Sequence, residues 1–188
     1  STVASISQKF TQGALTTTAG PTDLGISGQG FFKVTDGTNT FYTRAGDFRV
    51  DDAGTLLTNG GLKVIGNPAL TTLKGVDSFS IDKKGVITTY TAGVKATAGT
   101  ISIVTFSNPN GLKREGANLF SNTSNAAGTE DSGSTIKGDI IQGTLELSNV
   151  DLTQEFSDLI IAQRAFQANS RVITVSDSVM EEVVNLKR

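Results

Sequence analysis

Asp151-Leu152-Thr153-Gln154-Glu155-Phe156-Ser157-Asp158-Leu159 opens a run to Arg188 with no glycine and no proline, in a 188-residue chain that holds 21 glycines. Within it Leu152, Leu159, Phe166, Ile173 and Met180 recur every seven residues. Ala165, Val172, Val179 and Leu186 repeat at the same interval beside them. A seven-residue apolar repeat is the pattern of a helix that packs lengthwise against other helices. At about 1.5 Å per residue the run would reach roughly 57 Å, whereas a mean globular helix has about 11–12 residues. A body of the remaining length has a radius of gyration of only about 15 Å, so the stripe predicts packing between chains. Leu152, Phe156, Leu159, Phe166, Val172, Ile173, Val179, Met180, Val183 and Leu186 are the expected subunit-interface residues. Asp151 with Gln154 three residues on predicts a capping box, with Ser148 or Asn149 an alternative start. Lys187 and Arg188 suit the negative end of the helix dipole.

Upstream of this run the pattern changes. Three segments share an apolar residue, then Ser or Asp, two variable residues, Gly, one residue and another apolar residue: Ile26 to Phe32 around Gly30, Val50 to Leu56 around Gly54, and Ile81 to Ile87 around Gly85. Asp or Ser can bond the backbone ahead, and Gly accepts the left-handed conformation of a type I turn with a bulge. Hairpin turns are therefore predicted at Gly30, Gly54 and Gly85. Further short strands are predicted at Phe41–Thr43, Leu62–Ile65, Thr100–Phe106 and Thr144–Ser148. From Ser121 to Gly138 the chain is rich in Ser, Asn, Thr, Ala and Gly and reads as an exposed, mobile loop. The fold expected is mainly β, a small antiparallel body of short hairpins over 1–147, followed by one long amphipathic α-helix over 148–188.

Composition removes most chemistry. Cysteine and histidine are both absent, which excludes disulfides, Ser-His-Asp and Cys-His nucleophile systems, and zinc sites of the usual ligand types. Of 18 acidic and 16 basic residues, six acidic and four basic follow Ser148, leaving 12 of each before it. A neutral body, in a chain with 6% aromatic residues, has no electrostatic footprint for nucleic acid. No window approaches the 18 apolar residues of a membrane span, and Ser1 to Gly20 lacks the basic start and apolar run of a secretory signal. No membrane insertion is expected.

The remaining candidates are weak. Asp47, Asp51 and Asp52 crowd beside Arg44, but Phe48, Arg49 and Val50 stand where calcium ligands would be needed. Gly28 and Gly30 suggest a phosphate loop, yet Phe31 and Phe32 follow where a helix N-terminus should begin. Glu181 and Glu182 are adjacent on a helix, so their side chains diverge. No Lys stands in an apolar setting that would depress its pKa. The expectation is a non-enzyme with no cofactor and no metal.

Several separate motifs in order resemble the flagellar hook and rod family of axial proteins. They are Phe10-Thr-Gln-Gly13-Ala-Leu15, Asp23-Leu24-Gly25-Ile26-Ser27-Gly28-Gln29-Gly30-Phe31-Phe32 and Tyr42-Thr43-Arg44-Ala45-Gly46-Asp47-Phe48. Ser148-Asn149-Val150-Asp151-Leu152 and Ile161-Ala-Gln163-Arg164-Ala-Phe166-Gln-Ala-Asn169-Ser170 resemble the family's C-terminal signature. The resemblance covers nearly the whole chain. The ending Val184-Asn185-Leu186-Lys187-Arg188 leans toward the hook branch, with the distal rod as the alternative.

The resemblance implies a subunit that passes unfolded through the flagellar export apparatus and joins other copies of itself in a curved, flexible tube coupling motor rotation to the filament. It implies contacts with the distal rod and hook-filament junction proteins, with the hook cap during assembly, and an extracellular location reached without a cleaved signal peptide. Only Gly66 to Val76 and Thr89 to Gly99 could hold the outer domain of larger hook proteins, so a compact form is expected. Family members begin with a helical segment that pairs with the C-terminal helix, and Ser1 reads as starting after it. Cross-linking through a cysteine-derived bond is excluded. A competing reading is a surface binding module that uses the Ser121–Gly138 loop.

Overall fold

Adjacent residues of a strand face opposite sides of its sheet, so Phe31-Phe32 demands apolar cover on both faces. The computed structural model, which describes residues 10–67, 69–70, 73–122, 127–131 and 138–186, supplies that cover from short strands. The first seven are β1 Leu15–Thr17, β2 Leu24–Ser27, β3 Phe31–Thr35, β4 Thr40–Thr43, β5 Phe48–Val50, β6 Leu56–Thr58 and β7 Lys63–Val64. Then come β8 Ser78–Ile81, β9 Val86–Thr91, β10 Val94–Thr100, β11 Ile103–Val104, a 3-10 turn Pro109–Gly111, β12 Lys113–Gly116, β13 Leu119–Ser121, β14 Asp139–Gln142 and β15 Thr144–Glu146. One helix, α1 Leu152–Leu186, follows. The chain divides into two units, residues 1–149 and 150–188.

Eight strands form one sheet in the order β12-β13-β4-β3-β7-β6-β5, with β11 also pairing β3. A second sheet runs β10-β9-β8, and β1-β15 and β2-β14 are two-stranded ribbons. All these pairings are antiparallel. On one face Phe32, Val34, Leu56 and Val64 join Ile81, Ile87, Leu24, Ile26 and Ile140 in the main core. On the other, Phe31, Tyr42, Val104, Phe106, Leu112 and Ala127 form a second cluster, flanked by Phe10 and Phe120. Ring centroids there lie 4.8 to 6.0 Å apart, the spacing at which edge-on aromatic pairs attract. Each large apolar side chain so buried contributes about 1.5–3 kcal/mol.

Two of the three repeated glycine motifs close hairpins between paired strands. Gly54 (φ +80°) and Gly85 (φ +81°) adopt left-handed backbone, and their N–H groups donate to Asp51 O and Asp82 O at 2.8 Å. These turns join β5 to β6 and β8 to β9. Gly30 does not close a hairpin, which corrects the sequence reading. β2 pairs β14 whereas β3 pairs β4, β7 and β11, so Gly28 and Gly30 carry the chain from one sheet to another. The Arg44 guanidinium binds both their carbonyls at 3.1 Å, a tertiary contact that the local pattern cannot register.

The expected exposed loop is corrected as well. Ala127 is fully buried, its carbonyl accepts the Asn108 N–H, and Asp131 and Thr105 exchange backbone bonds. Residues 123–126 and 132–137 of that segment lie outside the described residues. Within the described residues Ala127–Asp131 belongs to the body. Thr89–Gly99 is likewise structural: it holds the tip of the β9-β10 hairpin, turning at Ala92 and Gly93 with φ of +48° and +77°.

Candidate assembly surface

Helix α1 begins because Asp151 Oδ1 accepts the free backbone N–H of Thr153 at 2.9 Å and, more weakly, that of Gln154 at 3.4 Å. The cap is half of the expected box. Gln154 does not reach back to the cap but donates to Asp158 one turn on, at 3.1 Å. With no glycine or proline to stop it, the helix runs 35 residues, and none of them is buried.

The ten residues expected at the interface lie on this helix with 52 to 87% of their surface exposed. At 3.6 residues per turn, the Leu152-Leu159-Phe166-Ile173-Met180 row and the Val172-Val179-Leu186 row stand about 100° apart, two strips and not one seam. Ile160, Ile161, Val175 and Val184 are also 51 to 65% exposed and were missed by the heptad reading. Three of them were detectable, because Ile160 and Val184 stand four residues after Phe156 and Met180, and Val175 three after Val172. Together these side chains make an apolar surface broader than a two-helix seam requires.

Two polar joints built on ion pairs link distant segments of the body. At the first, Arg44 Nε donates to Glu146 Oε2 at 2.8 Å and Nη2 to Oε1 at 3.2 Å, while Glu146 Oε1 also accepts the Gly13 N–H at 2.8 Å. The two side chains are only 17 and 10% exposed. The Arg44–Glu146 pair thus ties β15, the segment before β1, and the Gly28–Gly30 crossover together. At the second joint Glu130 accepts Lys33 Nζ at 2.6 Å and Tyr42 Oη at 2.8 Å. Burial acts to raise the Glu130 pKa, but the bonds from Lys33 and Tyr42 and the Lys33 charge outweigh it and hold the carboxyl below its ordinary value. Burial, with the bond to Glu130 and its charge, raises the Tyr42 hydroxyl. Asp47, Asp51 and Asp52 form no metal cluster with other groups among the described residues. Asp51 instead caps its turn, its carboxylate accepting Thr55 N–H at 2.7 Å.

A 35-residue helix with no buried residue follows the β body, and comparison with known proteins gives the chain a context. The family model described as the flagellar hook protein FlgE/F/G D1 domain matches residues 25–89, and that of the flagellar basal body rod FlgEFG protein C-terminal matches 141–186. The chain is 45% identical over 174 residues to the flagellar basal-body rod protein FlgG of Bacillus subtilis, covering 88% of this chain and 65% of that protein. It is 37% identical to the same protein of Borreliella burgdorferi over 99% of this chain and 72% of that one. The chain belongs to the flagellar hook and rod family of axial proteins. The hook protein FlgE of Treponema pallidum is 44% identical, but over 60% of this chain and 25% of its own length. The balance between branches thus runs toward the rod, the alternative to the hook reading. This axial protein spans about two thirds of the length of the rod relatives it matches.

Proposed function

We propose that this axial protein is a structural subunit of the flagellar rod, assembling with other copies of itself into a tube through α1. The observation that carries the assembly is the exposure of every apolar residue on a 35-residue helix. Such a surface costs free energy in water and is stabilised once neighbouring helices cover it. The preference for the rod rests on matches that run along 88 and 99% of the chain, against 60% for the hook relative. In this reading the chain is exported through the flagellar apparatus to an extracellular position. Its partners are other axial proteins, with the hook cap and the hook-filament junction proteins meeting the axis further out.

The test uses the chain extended to the length of its rod relatives. Electron microscopy should show straight tubes from the unaltered protein. Phe166→Asp or Ile173→Asp should abolish them while leaving the β signal in circular dichroism intact. Normal tubes from both variants would overturn the assembly role of α1. Curved tubes would return the assignment to the hook, the reading the 44% identity over 116 residues to the Treponema protein favours.

A further inference from the structure

Three Asx-Gly pairs occur at turns among the described residues, and their backbones differ in one respect that bears on spontaneous chemistry. At Asp36-Gly37 the Gly37 N–H donates to Thr35 Oγ1 at 3.0 Å. The Asp36 carboxylate itself accepts Thr38 N–H at 2.7 Å and Asn39 N–H at 2.6 Å. At Asn110-Gly111 the Gly111 N–H donates to Asn108 O at 3.0 Å inside the 3-10 turn. At Asn59-Gly60, on the tip joining β6 to β7, the hairpin bonds pass the pair by. Gly61 N–H donates to Thr58 O at 2.9 Å and Leu62 N–H to Thr58 Oγ1 at 3.1 Å. The Gly60 N–H donates to no acceptor among the described residues, and Asn59, Gly60 and Gly61 are all exposed.

We propose that Asn59 is a site of spontaneous deamidation and isoaspartate formation. The Gly60 backbone nitrogen, deprotonated by solvent base, attacks the Asn59 side-chain carbon. A C–N bond forms, the side-chain nitrogen leaves as ammonia, and a five-membered succinimide results. Water then opens either carbonyl. Opening at the main-chain carbonyl gives isoaspartate, with the backbone routed through the side chain, and opening at the other gives aspartate. No oxidant or cofactor is involved.

Glycine is the residue after Asn that hinders this attack least, because it has no Cβ, and an uncommitted N–H loses no hydrogen bond on ionising. At Gly37 and Gly111 the same nitrogen must first release a bond that holds its turn. The product adds one negative charge to a chain whose net charge is −2. As isoaspartate it also lengthens the main chain by one methylene in a three-residue tip. The affected hairpin holds Leu56 and Val64 in the main core.

The purified chain is incubated at neutral and mildly alkaline pH and digested, and its peptides are read by mass spectrometry with fragmentation that separates isoaspartate from aspartate. Conversion at Asn59 should outpace Asn110 and Asp36 severalfold, rise with pH, and give more isoaspartate than aspartate. Gly60→Ala is a matched control. Gly60 has no positive φ, and a Cβ there meets nothing nearer than Thr58 Oγ1 at 3.8 Å, so the variant keeps the fold while conversion slows severalfold. Equal rates at Asn59 and Asn110, or no slowing in Gly60→Ala, would overturn the proposal. Neither result touches the assembly reading.

Discussion

Phe32 and Phe166 are the same residue in opposite circumstances, one fully buried in the β body and the other 80% exposed on α1. The body satisfies itself: two apolar clusters, one on each face of the large sheet, leave little for a partner to cover. The helix satisfies only its backbone, because intrahelical bonds need no neighbour while its side chains do. Under the proposed function, stability and assembly are carried by different regions of one chain. Substitutions should separate accordingly.

The largest effect tests that separation directly. Phe32→Ala removes a ring that also packs edge-on against Phe48, centroids 5.0 Å apart, and should destabilise the body by about 3–5 kcal/mol in denaturant unfolding. Phe166→Ala should change the same midpoint by about 0.5 kcal/mol or less. Similar losses from both would mean that the helix shares the body's cooperative unit.

The Arg44 joint comes next. Arg44→Ala leaves the Glu146 carboxylate nearly buried without its cation and should cost about 3 kcal/mol. Combining Arg44→Met with Glu146→Leu should recover much of that, because no charge is then stranded. Recovery stays incomplete, since Gly13 N–H and the Gly28 and Gly30 carbonyls lose their partners. If the double variant is no better than Arg44→Ala, the cost lies in those backbone bonds and not in the stranded charge.

The two regions also differed in how far they could be read from sequence. The helix was legible because periodicity and the absence of glycine and proline are local properties, and so is Asp151 as its cap. Gly54 and Gly85 were legible for the same reason, since the turn's bonds run within five residues. Gly30 carries the same local pattern but answers to Arg44, 14 residues away. Ala127–Asp131 looks like loop by composition and is held by Lys33 and Tyr42, far upstream. Val94–Thr100 was missed because only Ala98 and Gly99 of that edge strand are buried, and an edge strand need not show an apolar alternation.

A smaller effect returns to the helix. Asp151→Ala removes the cap and should reduce helix stability by about 1 kcal/mol, visible as helical signal lost on heating with the body's midpoint unchanged. A shift of both together would again join the two regions.

The smallest effect concerns the clip that makes Ala127–Asp131 part of the body, and its sign is fixed by Glu130. The carboxyl is held below its ordinary value in the folded state, so the stabilisation it provides is present above the unfolded value, near 4.3. It is lost as pH falls through the folded one. Tyr42 works the other way: its hydroxyl is raised, so its contribution is complete below about pH 10 and is lost as pH climbs through the raised value. Glu130→Gln keeps the shape and an acceptor for Tyr42 Oη but removes the charge that Lys33 meets. At neutral pH it should cost about 1 kcal/mol or less, because the carboxylate is one-third exposed and solvent screens the pair. The gap between Glu130→Gln and the unaltered chain should close as pH falls below about 4, whereas the contributions of Asp36 and Glu115, also held low, are lost equally in both proteins and cancel. A constant gap across the acid range would mean that Glu130 holds the segment by packing and not by charge.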